Sequence, residues 1–554
     1  MMKKLIYILI MALGLSACID NDLPYPVVVP HITALEAEGA ESVSIDYENR
    51  TVTVYFPETK DLRSVSILSV EIDEKVAVPS VDIVGVHDLT SPLRFKIRTY
   101  DDYSWTIVGV RNVERYFTVE GQVGSSVIDP VNCRAIAMVG KNADISNIKV
   151  TSLKLGPKGL SSYSLDYSTM KDFTHGVAVD VTAFDLTETW NLFVEVTEAS
   201  VEITKVNPWA YEAYVTSIGV AGQKNGFRYR LAGVGEWTTV ADSDMTSDGG
   251  TFTAHIKSLL PETIYEVQAF SGDDSSSIYE FETEPAVKLP NGSFEYASKV
   301  AGKDYYKFYD PSCGVEEGMY MFWGSGNGEG SEGVNGSANM GIVITYIDTE
   351  DKVDGKQSVR AQTSQLAGML AAGNLFTGQF AGLVGTSGGK VNFGRPWTTR
   401  PSALKLYCKY KTGKIDIING TPAGVTLTKE DYDRADIKVA IGNWNYKTYG
   451  GTKDSPVQVN TTLESTFVDF YTDKSTIANG DVIIYNDGYA INNGEKVAAA
   501  TDGWIEYIIP LEYRNLNAYP THIVVSCAAS QYGDYFTGYD KTKLWIDAVE
   551  LIYE

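Results

Sequence analysis

Histidine and cysteine are scarce in this chain of 554 residues, which holds five of each. Only His522 lies beyond residue 255, so a zinc hydrolase site or a serine triad in the C-terminal half would have to use it. The cysteines after Cys18 are widely spaced and form no Cys-x-x-Cys pair, so no disulfide framework is indicated. Cys133, Cys408 and Cys527 lie in strand-like runs and are expected to be buried free thiols, with a Cys408–Cys527 bridge as the alternative.

Positive charge and long helical patterns are also lacking. The chain has 46 Lys and Arg against 71 Asp and Glu, which argues against nucleic acid and against electrostatic docking on anionic lipid. Short alternating runs rich in Val, Ile, Thr and Tyr, such as residues 51–56 and 481–486, are separated by Gly, Asn and Asp. This pattern predicts an all-β protein of stacked sandwiches, and the length predicts several domains.

The first eighteen residues carry a distinct signal. Lys3 and Lys4 precede an apolar run over residues 5–15, and Leu-Ser-Ala-Cys follows, ending at Cys18. The run is shorter than the about 20 residues of a transmembrane helix, and the pattern resembles a bacterial lipoprotein precursor. That resemblance implies a signal peptide at 1–17, lipidation of Cys18 and a linker at 18–26. Asp20 and Asp22 resemble the export signal of Bacteroidetes lipoproteins, which implies an outer-membrane protein facing the cell exterior.

A repeat occupies the next part of the chain. Residues 45–72 recur at an offset of 83 as residues 128–155, and Trp105 later matches Trp190. The pattern predicts two tandem β-sandwiches over residues 27–114 and 115–206, each with its tryptophan in the core. The copies resemble Ig-like spacer domains of Bacteroidetes surface lipoproteins.

A third unit is predicted at residues 207–285. Its Phe-Arg-Tyr-Arg at 227–230 and Leu-Leu-Pro-Glu-Thr-Ile-Tyr at 259–265 resemble a fibronectin type III domain. The resemblance implies a tyrosine corner at Tyr265, whose hydroxyl bonds to nearby backbone, and a spacer role for the unit.

The largest unit is predicted at residues 286–554. Its opening Asn-Gly-Ser-Phe-Glu, ending at Glu295, and its closing strand with Asp547 resemble the terminal strands of calcium-containing jelly-roll carbohydrate-binding modules. The resemblance implies that Glu295 and Asp547 help to hold a structural calcium ion, which requires six to eight oxygens. The alternative is that both are ordinary solvated carboxylates at strand ends.

Several separated motifs extend this resemblance over nearly the whole unit. They lie at residues 322–327, 354–359, 373–378, 394–404 and 530–538, and resemble the Bacteroidetes "putative carbohydrate metabolism" domain. The resemblance implies an accessory protein of glycan utilisation.

Sugar binding uses flat aromatic faces and polar groups that bond pairs of hydroxyls, often in loops. Candidate ligand residues in Gly-rich or Pro-rich contexts are Trp323, Arg395, Trp397, Arg400, Tyr532 and Asp534, with Trp444 as a second choice. Such aromatic residues also plug the ends of sandwiches, which is the structural alternative. The Gly-rich stretch 324–341 has no P-loop lysine and is expected to be a loop.

The sequence therefore predicts a lipid-anchored surface protein that binds a polysaccharide or oligosaccharide without catalysis, beside partner proteins of a glycan-uptake system. A glycoside hydrolase is the first alternative, with Glu316, Glu317, Glu329, Asp534 and Asp540 available as carboxylates. No pattern pairs any two of them. The second alternative is an adhesin or assembly protein that pairs strands with another protein.

Overall fold

The computed structural model describes residues 28–198, 200–300, 302–309, 322–328, 336–366, 368–385 and 387–554. The predicted signal peptide, Cys18, the linker at 18–26, and Glu316, Glu317 and Glu329 lie outside the described residues. Strands dominate the described chain, so the prediction of an all-β fold is confirmed. Within these ranges, none of the helices has the length and apolar character that a membrane-spanning helix needs.

The first two units share one topology. A parallel pair, β3 with β8 and β11 with β15, lies inside each five-stranded sheet, in the orders β2-β3-β8-β7-β5 and β10-β11-β15-β14-β13. Their strands are β1 Ile32–Ala37, β2 Ser42–Asp46, β3 Thr51–Pro57, β4 Val65–Ile72, β5 Val78–Pro79, β6 Gly85–His87, β7 Leu93–Arg98 and β8 Asp102–Asn112, then β9 Tyr116–Val119, β10 Val127–Asp129, β11 Arg134–Gly140, β12 Val150–Lys154, β13 Ser162–Tyr163, β14 Val177–Ala183 and β15 Leu186–Thr197.

Equivalent turns explain why the repeat is visible in the sequence. Asp46 accepts hydrogen bonds from the backbone and side chain of Asn49, and Asp129 accepts the same bonds from Asn132. The residue that follows is left-handed in both copies, although Cys133 and its counterpart are not glycines. Cys133 therefore lies in this turn and is only half buried, which corrects the expectation of a buried thiol in a strand. Trp105 and Trp190 are buried in their cores, as predicted.

The third unit is a two-sheet sandwich whose strand β16 crosses the expected boundary at residue 207. The Tyr265 hydroxyl accepts a hydrogen bond from the Leu260 N–H at 3.0 Å, which confirms the predicted tyrosine corner. Its sheets have the orders β16-β17-β21-β20 and β19-β18-β22-β23, with β24 beside β22. The strands are β16 Glu202–Pro208, β17 Ala213–Ile218, β18 Asn225–Leu231, β19 Thr238–Thr239, β20 Met245–Asp248, β21 Thr251–Ile256, β22 Ile264–Ser271, β23 Asp274–Ser275 and β24 Tyr279–Glu282.

The C-terminal unit packs a large sheet on a smaller one. Among the described residues the large sheet has eleven strands, in the order β37-β33-β32-β43-β36-β38-β39-β40 with three short additions. The smaller sheet has the order β28-β29-β44-β35-β41. Strands here are β25 Ser298–Lys299, β26 Tyr306–Lys307, β27 Trp323–Gly324, β28 Thr345–Asp348, β29 Ser358–Gln362, β30 Ser364–Leu366, β31 Met369–Ala371, β32 Asn374–Val384, β33 Gly388–Phe393, β34 Arg395–Pro396, β35 Ala403–Lys411, β36 Ala435–Gly442, β37 Val457–Asn460, β38 Thr476–Ile484, β39 Tyr489–Asn492, β40 Glu495–Ala498, β41 Ile505–Pro510, β42 Glu512–Tyr513, β43 His522–Ala528 and β44 Lys543–Ile552.

Helices are short throughout the described residues. The one-turn α-helix α1 spans Tyr446–Tyr449, and 3-10 turns span Tyr167–Thr169, Asp242–Asp244, Ser337–Met340, Glu464–Thr466 and Gly533–Tyr535.

The two sheets of the C-terminal unit enclose the main hydrophobic core. Alternate residues of the central strands point into it, for example Ile437 and Val439 of β36 and Val525 and Cys527 of β43. Cys408 and Cys527 are both buried and free, as expected, and burial raises the pKa of each thiol. The intervening residues of β36, β38 and β43 therefore face outward, and they form the surface on which the candidate site lies.

Candidate functional site

The two tryptophans predicted to stack on sugar are core residues. Trp323 is 2% exposed; its indole N–H donates to the Pro290 carbonyl at 2.8 Å, and its ring packs edge-on against Phe294. Trp397 is 5% exposed and packs against Phe322. In these positions neither ring offers a free face to a ligand, so both correspond to the structural alternative of plugging the sandwich.

The two predicted arginines are also buried. Arg395 donates to the carbonyls of Phe322 and Gly378 and to the Ser455 hydroxyl. These bonds tie β34 to neighbouring segments of the large sheet. A guanidinium committed in this way stabilises the fold rather than facing a ligand.

Arg400 joins the third unit to the C-terminal unit. It is 0% exposed and donates five hydrogen bonds: two to Glu284 Oε1, and one each to Asn207 Oδ1 and the carbonyls of Pro208 and Leu516. Its guanidinium also lies 4.5 Å from the ring centroid of Trp209 and 4.4 Å from that of Tyr519. Five bonds use every N–H of an arginine, so Arg400 is a structural contact between units.

Tyr532 and Asp534, by contrast, lie at the surface on the loop after β43. A 3-10 turn at Gly533–Tyr535 projects the Asp534 side chain outward, and Phe536 ends the turn in the left-handed conformation. Gly533 is required there, because an added Cβ would lie 2.3 Å from the Ala372 Cβ. The close approach packs this loop against the segment that joins β31 to β32.

The outer face of the large sheet carries a cluster of four charged residues, of which sequence reasoning proposed only Asp534. Lys438 on β36 pairs in register with Asp481 on β38 and with Ser526 on β43. Its ammonium lies 3.0 Å from Asp436 Oδ2, two residues earlier on the same face. We call Asp436, Lys438, Asp481 and Asp534 the outer-face cluster.

The cluster borders a small cavity that Lys438 lines together with Tyr471 and Asn479, and we call this part of the outer face the cleft. The Lys438 side chain is 45% exposed and Asp534 is exposed, yet burial is the main cause that raises the pKa of Asp534. Burial also raises the pKa of Asp481, with a smaller contribution from the nearby charge of Asp436. Lys438 lowers both pKa values, while Asp436 holds the pKa of Lys438 above its usual range.

Several polar atoms in this cleft have no protein partner among the described residues. Asp436 is 6% exposed, and its Oδ1 accepts no hydrogen bond. The buried Asn479, which lines a small cavity with Lys438, has an unpaired Nδ2, and Gln531 has an unpaired Oε1. Buried polar groups are rarely left unpaired in proteins, so these atoms mark a place where a ligand or water would supply the missing bonds.

An aromatic rim borders one end of the cleft. The Arg434 guanidinium lies 5.1 Å from the Tyr532 ring centroid and 5.2 Å from that of Tyr485, and it donates to the Tyr532 hydroxyl. Tyr485 stacks on Tyr489 at 4.7 Å, and Lys496 lies over Tyr489. All three rings are partly exposed. Protein contacts cover faces of Tyr485 and Tyr489, whereas Tyr532 has Arg434 as its one ring contact among the described residues, so Tyr532 is the most available flat surface.

The geometry also bears on acid–base chemistry. Asp436 and Asp481 are diagonal neighbours on adjacent antiparallel strands, a relation that places their Cα atoms roughly 7–8 Å apart with both side chains on one face of the sheet. Two carboxylates at about 5 to 9.5 Å can flank a glycosidic bond. The Tyr471 hydroxyl donates to Asp481 at 2.5 Å, and a tyrosine in that position orients the carboxylate.

The two predicted calcium ligands lie together, away from the cleft. Asp547 is wholly buried and accepts hydrogen bonds from the N–H groups of Val353, Asp354 and Ala548. Glu295 accepts from the N–H of Lys356 in the same loop. Burial raises the pKa of Asp547, and the charge of Glu295 adds to that effect.

The ligands available at this pair are carboxylate oxygens, the type of ligand that a hard cation such as calcium prefers. Two carboxylates that repel each other converge on one loop, and an added Cβ at Gly355 would lie 2.2 Å from Glu295 Oε1, so only glycine allows the approach. Backbone carbonyls or water would have to supply the other oxygens. No group of three or more His, Cys, Asp and Glu side chains arranged to hold a metal occurs in the described ranges.

Two other candidates from the sequence, Trp444 and Asp540, make contacts within the protein and lie outside the outer-face cluster. Trp444 is buried in a second, smaller core on the outer face of the large sheet, and its indole N–H donates to Asp473. The Asp540 backbone N–H donates to Asp416, outside the outer-face cluster. Residues 329–335 of the Gly-rich stretch lie outside the described ranges.

The fold and the cleft define a multi-unit β-sandwich protein with a polar cleft on its C-terminal unit. Residues 293–552, just under half of the chain, match the family described as "Putative carbohydrate metabolism domain". The matched segment lies within the C-terminal unit and contains the whole outer-face cluster. None of the curated proteins matches the chain.

Solved structures resemble the chain only distantly. A putative glycoside hydrolase from Bacteroides thetaiotaomicron is 18% identical, with 80% of this chain and 98% of that one covered and a TM-score of 0.29. A second, from Bacteroides vulgatus, is 20% identical over 47% of this chain and 97% of that one, at 0.31. The surface glycan-binding protein PbSGBP-B from Prevotella bryantii is 11% identical over 68% and 81%, at 0.19. At these TM-scores the likenesses carry no argument about function.

Proposed function

We propose that this protein binds a glycan, without cleaving it, in the cleft that the outer-face cluster lines. The observation that carries the proposal is the set of buried polar atoms left unpaired beside an exposed Lys438. Sugar hydroxyls both donate and accept hydrogen bonds, so a ligand with several of them can pair with the acceptor Asp436 Oδ1 and with the donor Asn479 Nδ2 at separate positions along the sheet. The family match of residues 293–552 is consistent with a carbohydrate ligand.

The aromatic rim would provide the apolar part of recognition. Tyr485, Tyr489 and Tyr532 surround Arg434 at one end of the cleft. The apolar C–H faces of a sugar ring stack on such rings, while the charged groups bond its hydroxyls.

Attachment and location form part of the same proposal. Cys18 would carry the lipid that anchors the protein to the outer membrane, and the three N-terminal units would project the C-terminal unit from the cell surface. Its partners would be a polysaccharide or oligosaccharide and proteins of a glycan-uptake system.

Glu295 and Asp547 would hold a structural calcium ion at the joined ends of the C-terminal unit. A bound ion supplies positive charge between two carboxylates that otherwise repel each other. These two residues lie outside the outer-face cluster, so the ion would stabilise the fold and leave ligand contacts to the cleft.

A glycoside hydrolase is the second candidate, because one specific observation favours it. Asp481 and Asp534 both have a raised pKa, which is the property required of a general acid. In that case one protonated carboxyl would protonate the leaving oxygen, and an ionised one would activate water or attack the sugar.

The test is retention of the soluble chain, residues 28–554, on immobilised polysaccharides, with release of reducing ends followed in parallel. A C-terminal fragment alone is unsuitable, since it would expose Arg400 without Glu284 and Asn207. Lys438→Met should abolish most retention. Lys257→Met, which removes a Lys–Asp pair from the third unit, is the matched control and should leave retention unchanged.

The outcomes separate the candidates. Retention without cleavage that is lost in Lys438→Met supports glycan binding. Release of reducing ends that is lost in Asp534→Asn or Asp481→Asn supports the hydrolase. Retention that survives Lys438→Met, or none on any polysaccharide, contradicts the proposed site.

A further inference from the structure

An apolar cavity of about 360 Å³ opens beside the outer-face cluster, between the β32–β33 hairpin and the loop after β43. Most of its wall is formed by apolar side chains: Met340, Met369, Leu370, Phe380, Leu383 and Val391. Its volume falls in the range of ligand sites, and a dry cavity of about 150 Å³ already accepts benzene. The cavity therefore has room for a ring system or a short alkyl chain.

The cavity is not sealed inside the core. Met340 and Met369 line it and are partly exposed, while Leu370 and Phe380 are buried. Methionine side chains are flexible and polarisable, so they adapt to apolar groups of varied shape. Exposed methionines over a buried apolar floor are the surroundings of an apolar ligand that enters from solvent.

Polar groups at the cavity connect it to the cleft. Asp534 lines the cavity and also interacts electrostatically with Lys438 and Asp436 of the outer-face cluster. Ser337 lines the cavity as well; it is 8% exposed, and its hydroxyl has no hydrogen-bond partner among the described residues. The buried hydroxyl of Ser337 would bond to a polar atom of the ligand inside the cavity, and the exposed Asp534 would bond to a polar group at the rim.

We infer that the ligand is a glycoside or glycoconjugate whose sugar lies in the cleft and whose apolar substituent, an aglycone or acyl group, enters this cavity. The inference rests on the proposed function, because it takes the sugar position from the outer-face cluster. A plain, unsubstituted polysaccharide would leave the apolar walls in contact with water, which is unfavourable. Apolar burial would therefore add affinity for a substituted sugar.

The test compares methyl and hexyl glycosides of glucose, galactose and mannose, titrated calorimetrically into the chain of residues 28–554 below micelle-forming concentrations. Each buried methylene should raise affinity about fourfold, so hexyl forms should bind at least tenfold more tightly than methyl forms. Met369→Lys at the cavity entrance should remove that gain. Ile508→Lys, at an exposed apolar position on the smaller sheet, is the matched control.

The possible results are distinguishable from failure of the proposed function. A hexyl gain that is lost in Met369→Lys but kept in Ile508→Lys supports the inference. Equal affinities for hexyl and methyl forms, a hexyl gain that survives Met369→Lys, or no binding of any hexyl glycoside overturns it. In those cases, polysaccharide retention that depends on Lys438 would still support the proposed function. If hexyl glycosides bind but no polysaccharide is retained, the proposed polysaccharide ligand is contradicted and the inference about the cavity is not.

Discussion

Arg400 and Lys438 are both cations beside carboxylates in the C-terminal unit, but their surroundings differ. Arg400 is fully buried, and all five of its N–H groups bond to protein. Lys438 is about half exposed, makes one close ion pair with Asp436, and faces further carboxylates and unpaired polar atoms. A cation whose donors are all used by the protein holds units together, whereas one that reaches water keeps donors that a ligand can use.

Among the variants that test this comparison, Arg400→Met should have the largest effect on the free energy of unfolding. Glu284 would remain buried without its partner, and removing one member of a buried pair costs about 3–5 kcal/mol of unfolding free energy. Denaturant unfolding at pH 7 measures the loss. Lys438→Met should cost less, because Lys438 reaches water and only the Asp436 member of the pair is buried.

The pH dependence of that deficit has a defined sign. Burial already raises the pKa of Glu284, and loss of Arg400 would raise it further. A raised carboxyl pKa in the folded state destabilises the fold as pH rises through it, so the deficit should shrink on acidification. The double variant Arg400→Met, Glu284→Gln should recover much of the loss; an equal deficit in it would contradict the buried-pair explanation.

The Glu295–Asp547 pair offers an intermediate case. Asp547 is buried like Arg400, Glu295 is partly exposed, and the two carboxylates repel each other. Calcium at about 100 times its dissociation constant should stabilise the fold by about 2.7 kcal/mol, and a chelator should reverse the rise in Tm. Glu295→Gln should abolish the calcium-dependent shift, and Glu430→Gln, at an exposed ion pair, should not. A calcium shift that persists in Glu295→Gln would place the ion elsewhere.

Arg434→Met tests whether the aromatic rim contributes to glycan binding, as Lys438 does, rather than to stability, as Arg400 does. Loss of the guanidinium that orders Tyr485 and Tyr532 should weaken glycan binding about threefold to tenfold with little loss of stability. Arg228→Met, which removes an arginine over Trp237 in the third unit, should leave affinity unchanged. Equal losses in both variants would indicate a general effect on folding rather than a rim contact.

The smallest expected effect is electrostatic. Lys438 lowers the pKa of both Asp481 and Asp534, so Lys438→Met should raise both values. Carboxyl carbon NMR titration measures the two shifts, with Asp102 in the first unit as a distant reference. Unchanged values would show that Lys438 does not control the charge of the cleft.

The sequence predicted the fold class and some local features well. Alternating Val, Ile, Thr and Tyr runs indicated strands, and the Tyr265 corner depends on residues only five positions apart. Such signals are local, so they can be interpreted from the sequence without knowledge of tertiary contacts.

The site was harder to predict, because its geometry depends on distant residues. Trp323 and Arg400 occur in contexts that suggest exposed loops, but Pro290 and Asn207, far away in the chain, help to bury them. Asp436 and Lys438 lie in an apolar strand, where the charged outward positions were the available signal. Their pairing with β38 requires the sheet register, which single-sequence patterns do not provide.

The most direct test of the account is to measure retention of Lys438→Met and Trp397→Phe on the glycan that retains the unaltered chain. Lys438 lies in the cleft and Trp397 in the core, although sequence reasoning favoured the tryptophan as a ligand. If the cleft binds the glycan, Lys438→Met should lose retention and Trp397→Phe should keep retention, with both variants folded. Retention lost in folded Trp397→Phe and kept in Lys438→Met would contradict the assignment of the cleft.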